Sequence, residues 1–365
     1  AGINLKNEDV LKKLKGVVGS MVKLSILKPD KKIENKNITR GSIPLKSIPA
    51  YTMLNNEIGY IKISSFSNST DIEFKKALNI LMEKGIKGLI LDLRFNGGGY
   101  LHQAINVADE FLEKNKLIVY TEGAHSKKRT FYSSSKGLFK NGKLIILVNS
   151  STASASEIVS GAIQDHKRGI ILGRRTFGKG LVQQPLLLPD SSELRITTSR
   201  YYTPSGKCIQ KPYGDTIDYD DDLFKRIESG ELTQIDSLGN NKFMGGILPN
   251  IYSPIDTSTY NDHVNKIIYT RKWRDFCFNY FEKYPVSNFE NVKEFYHNFK
   301  VKNNEIKKYL ENVKKDLEVF DNNTVDDLVW SLKLELSSYY YSDQSRYIIS
   351  TFKDNDIKKA LLELE

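Results

Sequence analysis

The chain has 365 residues, 39% of them hydrophobic, and 54 Lys and Arg against 44 Asp and Glu leave a formal net charge of +10. That length suffices for two or three domains around a real core. No apolar run approaches the roughly 20 residues of a membrane-spanning helix, and the lysines are interspersed with acidic residues, which predicts a solvated basic surface rather than a nucleic-acid patch.

No leader pattern opens the chain, and its start at Ala1-Gly2-Ile3 reads as trimmed. The spacing of Val10, Leu11 and Leu14 predicts an amphipathic helix over 7–14, after a short apolar piece at 3–5. A turn over 16–19 then leads to an alternating strand over 21–27. A second alternating strand is expected over 56–66. A helix over 70–85 follows, with Thr70 as N-cap, Phe74, Ala77, Leu78 and Leu81 as its apolar stripe and Gly85 closing it. Residues 88–93 read as a buried strand running into Asp92-x-Arg94-x-Asn96-Gly97-Gly98-Gly99, where Asp92 and Arg94 suit an ion pair better than catalysis. Beyond it come a helix over 100–112, a strand over 116–121, and a Ser-, Lys- and Gly-rich stretch over 122–141. That stretch suits a surface hairpin or a mobile loop.

The next segment carries the chemistry. A buried strand over 144–148 and a small polar turn over 149–153 precede a helix over 157–166, with Ser154 at its mouth. Ser154 and Glu157 fit a capping box, so Ser154 can be a cap. It also sits where unpaired N–H groups and the helix dipole favour a developing oxyanion. A strand over 169–173 leads to Thr176-Phe177-Gly178-Lys179-Gly180. A Lys in a dry pocket can serve as the base that a weak hydroxyl nucleophile needs, because burial disfavours the ammonium. Strands are expected over 183–188 and 193–202.

Residues 211–250 are polar. Their acidic cluster Asp218, Asp220, Asp221, Asp222 lacks the Gly and terminal Glu of a calcium loop, so a solvated loop is expected. From about residue 261 the pattern is helical. Ile306, Tyr309, Leu310, Val313 and Leu317 form one stripe. After a turn over 321–324 capped by Thr324 with Asp327, a second stripe follows at Leu328, Val329, Leu332 and Leu336. These stripes serve a core or a dimer face. The run Tyr339-Tyr340-Tyr341 suits packing. Cys208 and Cys277 lack metal-ligand spacing and are either free thiols or one disulfide; His166 reads as a structural or surface residue.

Ala153-Ser154-Ala155-Ser156-Glu157-Ile158, Gln164-Asp165 and Phe177-Gly178-Lys179-Gly180-x-Val182-Gln183 together resemble the carboxy-terminal processing (tail-specific) proteases, Ser–Lys dyad serine peptidases. Tyr201-Tyr202-Thr203-Pro204-Ser205-Gly206 and Gly245-Gly246-Ile247-x-Pro249 are similar to further segments of that family. Asn250 stands where members carry Asp, Phe95 where a polar residue is usual, and Gly97 where many have Pro. The resemblance implies an α/β fold with a mixed-sheet ClpP/crotonase-like protease core over 51–255, and a helical C-terminal region over 256–365. Residues 1–50, through Gly2, Glu8–Val10, Leu14–Gly16 and Gly19-Ser20-x-Val22, resemble the back half of a PDZ domain. The front half with its carboxylate-binding loop is absent from this chain, so impaired peptide recognition or incomplete folding is expected; the alternative is an unrelated β-rich linker.

By the same resemblance Ser154 is the nucleophile, Lys179 the base and Gln183 its orienting partner. Backbone N–H groups of Gly98 or Gly99 and of Ala155 form the oxyanion hole, and no metal or organic cofactor is required. The implied partners are polypeptide substrates bound by their C-terminal tails, with a homo-oligomer through the helical region. The implied location is the bacterial cell envelope, in the periplasm. Alternatives from other classes are a non-catalytic peptide-binding protein on the same scaffold and an envelope scaffold whose helical tail docks a partner.

Overall fold

The structure, a computed structural model, describes residues 7–28, 32–42, 46–211, 225, 226, 228, 245–256, 261–284, 289–313 and 322–365. The chain forms two compact units, 1–46 and 47–365. The first holds helix α1 (Asn7–Leu14) and an antiparallel hairpin of β1 (Met21–Leu27) and β2 (Ile33–Thr39). Arg40 fastens the helix end, donating from Nε to the Leu14 carbonyl at 2.7 Å. The expected helix and strand are both present, and the apolar piece at 3–5 lies outside the described residues.

The second unit is built on a six-stranded sheet. In chain order its strands are β3 (Ala50–Met53), β4 (Ile58–Lys62), β5 (Gly88–Asp92), β8 (Lys143–Val148), β9 (Ile170–Gly173) and β12 (Ile251–Tyr252). Its spatial order is β12-β9-β8-β5-β4-β3, parallel throughout except for the antiparallel β3–β4 edge. Central parallel strands are buried on both faces, which is why 88–92 and 144–148 read as unbroken apolar runs. Leu89, Leu91, Ile146, Val148 and Ile171 point to one side. There they meet α2 (Thr70–Glu83), α3 (Leu101–Asp109) and α4 (Ala155–Asp165). Ile90, Ile145, Leu147 and Leu172 point to the other.

A second, antiparallel sheet of order β10-β11-β6-β7 comprises β6 (Leu117–Gly123), β7 (Ser126–Tyr132), β10 (Leu181–Leu187) and β11 (Glu193–Tyr202). Its β6–β7 pair is the surface hairpin expected after residue 121.

Seven helices among the described residues follow: α5 (Asp262–Ile268), α6 (Arg271–Lys283), α7 (Val292–Asn298), α8 (Asn303–Val313), α9 (Asn322–Tyr340), α10 (Asp343–Lys353) and α11 (Asn355–Leu364). The predicted stripe is a core face: Ile306, Leu310, Leu328, Leu332 and Leu336 pack around Trp273, Cys277 and Phe295. Tyr339 and Tyr340 pack on Phe281, and Tyr341 on Phe295. Trp273 is fully buried between the rings of Phe276 and Tyr309, at 5.3 and 5.4 Å. Trp273→Ala is therefore expected to cost about 3–5 kcal/mol, read as a lowered urea midpoint. The last helix covers the other face of the large sheet, setting Ile357, Ala360 and Leu364 against Ile90 and Leu147.

Three predicted caps move: the C-cap of α2 is Lys84, with Gly85 just beyond it at φ +79, and two N-caps shift. Ser69, not Thr70, is the N-cap of α2, because the buried Thr70 hydroxyl already accepts the Ser67 amide at 2.8 Å. Helix α9 begins at Asn322, so Thr324 lies within its first turn rather than ahead of it. Both cysteines are free thiols, Cys277 being buried. The acidic cluster at 218–222, Leu317 and Asp321 lie outside the described residues. No helix among the described residues is long and apolar enough to cross a membrane.

Candidate active site

Three neighbouring parallel strands, β5, β8 and β9, end on the same edge of the large sheet, and the loops leaving them converge. The loop after β8 is held from within. The Asn149 amide donates to Thr152 Oγ1, whose hydroxyl donates to the Leu93 carbonyl, both at 2.9 Å. Asn149 Oδ1 accepts the Phe95 amide at 3.0 Å, fixing the glycine-rich turn to the same place. The Asn96 carbonyl then receives the Ala153 amide at 2.9 Å and the Ser156 hydroxyl at 3.1 Å.

Ser154 is the N-cap of α4 and half-buried, with φ 56 and ψ −115. A non-glycine residue rarely occupies that region, and it persists only where its surroundings over-determine it. The determinant here is Glu157. Ser154 and Glu157 stand in the capping-box arrangement, but its firm half is the carboxylate, which accepts the Ser154 amide at 2.7 Å. The Ser154 hydroxyl makes no cap hydrogen bond, since the Glu157 N–H donates to the Ser154 carbonyl at 2.9 Å.

The same carboxylate reaches the third loop. Its Oε2 also accepts the Lys179 amide at 2.9 Å, while Oε1 accepts the Thr176 hydroxyl at 2.5 Å and the Gly178 amide at 2.7 Å. One carboxylate oxygen thus ties the main chain of Ser154 to that of Lys179. Glu157 is fully buried, and burial pushes its carboxyl up from the ordinary glutamate value, partly offset by these four donors.

The glycine turn closes on the serine. Gly98 has φ +98, and a Cβ there would stand 2.7 Å from the Ser154 Cβ and 2.8 Å from the Ala153 carbonyl oxygen. Gly98→Ala is accordingly expected to displace Ser154 and to destabilise the fold by about 1–3 kcal/mol, read as a lowered urea midpoint. The Gly98 N–H donates to Asn96 Oδ1 at 2.8 Å. The N–H groups of Gly99 and Ala155 carry no hydrogen bond among the described residues.

Lys179 is exposed at the mouth of a cleft of about 320 Å³, shared with Gly97, Ser150, Ser151, Ala153, Phe177 and Arg226. Its ammonium has no hydrogen bond or ion pair among the described residues. Gln183 lies on β10, exposed, opposite Thr197 at a β-bulge, and its side chain is not engaged with Lys179. The geometry therefore gathers Ser154, Ala155, Gly98 and the Lys179 main chain, while among the described residues no hydrogen bond joins the Lys179 or Gln183 side chain to them. His166 is structural, its Nε2 lying 2.7 Å from the Leu117 carbonyl. Asp92 and Arg94 form the expected ion pair at 2.8 Å. Sequence reasoning found Glu157 only as a cap partner. It missed Arg226, which donates to the carbonyls of Thr176 and Phe177 at 3.0 and 3.2 Å and has no signal in its polar surroundings.

Residues 57–220 match the profile of peptidase family S41. The carboxy-terminal-processing protease of Bartonella bacilliformis is 38% identical over 209 residues, 55% of this chain and 47% of its own. Carboxy-terminal processing protease CtpA of Bacillus subtilis is 34% identical over 210 residues, 58% of this chain and 44% of its own. Among solved structures, the photosystem II D1 C-terminal processing protease aligns with TM-score 0.46 and 26% identity, over 67% of this chain and 58% of that one. The chain spans about half the length of the curated relatives it matches. Over residues 57–220 this chain is thus similar to peptidase family S41 and to carboxy-terminal-processing proteases.

Proposed function

We propose that this protein is a serine endopeptidase that cleaves extended polypeptides near their C-terminal tails through a Ser154–Lys179 dyad. The observation that carries this reading is the single Glu157 oxygen that accepts both the Ser154 and the Lys179 amides and holds Ser154 at φ 56 beside a free helix N-terminus. Ser154 Oγ attacks the peptide carbonyl carbon, and the Lys179 amine takes the hydroxyl proton. Lys179 returns that proton to the leaving amine, and water then hydrolyses the Ser154 ester. The N–H of Ala155, next to Ser154, and that of Gly99, next to Gly98 in the turn that closes on Ser154, receive the oxyanion; neither is hydrogen-bonded among the described residues. Gly98 serves by letting the chain approach closely, its own N–H being held by Asn96.

Lys179 stands at the cleft mouth, so a substrate strand laid across the cleft completes the water-poor environment that an amine base needs. Gln183, on the strand that starts just after Lys179, orients it in that closed state. We assign residues 1–50 to the back half of a PDZ domain, a class that binds peptide tails by strand addition, and the bacterial cell envelope, in the periplasm, as the compartment. Exposure of Lys179 is the observation that favours a second reading, a peptide-binding scaffold without catalysis. A serine-directed fluorophosphonate separates the two. Labelling mapped by mass spectrometry to Ser154 supports the peptidase, and an unlabelled Ser154 in folded protein overturns it. Comparing one peptide with a free and an amidated C-terminus tests the tail preference.

A further inference from the structure

Two arginines stand immediately ahead of two of the loops that carry the site. Arg94 follows β5 and precedes the glycine turn; Arg174 follows β9 and precedes the Thr176–Lys179 loop. Both are buried, and both reach one carboxylate oxygen from the far end of the chain. Asp356 Oδ2 accepts Arg94 Nη1 at 2.9 Å and Arg174 Nη2 at 3.2 Å. Its other oxygen accepts the Ser253 hydroxyl at 2.5 Å. Arg94 is held further by Asp92 and Asp354, each at 2.8 Å, and Lys62 Nζ donates to Asp92 at 3.1 Å and to the Arg94 carbonyl at 2.5 Å. Three cations (Lys62, Arg94, Arg174) thus face three carboxylates (Asp92, Asp354, Asp356) in one cluster.

We propose that Asp356 is a positioning residue of the active site, fixing the spacing of the glycine turn and the Lys179 loop by gripping the arginine at the root of each. The proposal rests on reading Ser154 and Lys179 as the reacting pair. The linkage is short on both sides. Arg94 is two residues from Asn96, whose carbonyl takes the Ala153 amide beside Ser154. Arg174 is two residues from Thr176, whose hydroxyl donates to Glu157. Buried ion pairs add little net stability, but removing one partner strands the other's charge. Two arginines left without their shared anion would draw apart, and their loops with them.

The test compares the full chain with Asp356→Asn and with Leu362→Ala, an exposed residue of the same helix. Asp356→Asn should lower kcat by about tenfold or more, with KM within about twofold of wild type, as misplaced reacting groups do. Hydrogen exchange should quicken in residues 95–99 and 176–180 but not in α2, while Leu362→Ala matches wild type in both measurements. Unchanged exchange in both loops overturns the proposal, as does a rate loss that vanishes when scaled to the folded fraction. Should Asp356→Asn fail to fold, Ser253→Ala decides: it removes one hydrogen bond from Asp356 and no charge, and the same loops must quicken or the proposal falls. A wild type no more active than Ser154→Ala overturns the peptidase reading, and loop exchange still decides the role of Asp356.

Discussion

Ser154→Ala is expected to abolish cleavage of an unstructured protein such as casein, lowering kcat/KM by at least about 10⁴-fold. The variant keeps the Gly99 and Ala155 donors and the cleft, so what remains is only the rate that oxyanion stabilisation and binding supply without a nucleophile. Lys179→Ala should fall to the same floor, because the hydroxyl then has no base. Lys179→Arg should be equally inactive although charge is kept, since a guanidinium does not give up its proton. The decisive measurement is the three variants beside wild type at matched concentration. Equal cleavage by all would mean another nucleophile or a contaminating protease, and activity retained by Lys179→Arg alone would remove Lys179 from its role.

Glu157→Gln should have the largest effect on stability among single changes at the site. The carboxylate has four acceptor positions and four donors. A glutamine keeps one oxygen and must turn its NH2 toward either the Ser154 and Lys179 amides or the Thr176 hydroxyl and Gly178 amide. Two buried donors lose their acceptor in either pose, at a cost of about 3–5 kcal/mol, visible in the urea midpoint. Activity should fall with it, and a variant as stable and active as wild type would refute the organising role of Glu157.

Acid should separate the two properties. Burial raises the folded-state pKa of Glu157 above its unfolded value, so the folded chain binds the proton at higher pH than the unfolded chain. This group's contribution to stability therefore does not fall as pH drops through that window. Protonation nevertheless replaces an acceptor with a donor beneath Ser154 and Lys179. Activity should decline at a pH above the ordinary glutamate range, while the urea midpoint shows no parallel loss from this group.

Sequence pattern revealed most of the frame, for local reasons. Strands buried on both faces leave apolar runs such as Leu89–Leu91 and Leu144–Val148, and the stripe from Leu328 to Leu336 can only be a face of a helix. At Ser154 the cap signature and the nucleophile signature coincide because the same carboxylate does both jobs: it caps α4 and carries the Lys179 loop. What was hidden is what depends on folding at a distance. Nothing near Glu157 announces Thr176 and Gly178 as its partners, and nothing near Asp356 announces Arg94 and Arg174. The cap of α2 slipped by one residue for a similar reason, Thr70 being claimed by the Ser67 amide. The dry setting expected for Lys179 is absent: its side chain is exposed where it lines the cleft.

The large sheet acquires its second cover late in the chain. Its last strand ends at Tyr252, yet Ile357, Ala360 and Leu364, which shield Ile90, Ile145 and Leu147, belong to α11. On the ribosome, a chain emerging N-terminus first has Ser154, Lys179 and the glycine turn made long before that helix. Until it arrives, one apolar face of the sheet is bare and the arginines beneath two of the loops lack their shared anion. Closure of the large sheet's second face, and with it the shared grip on Arg94 and Arg174, is thereby deferred until this segment has been made.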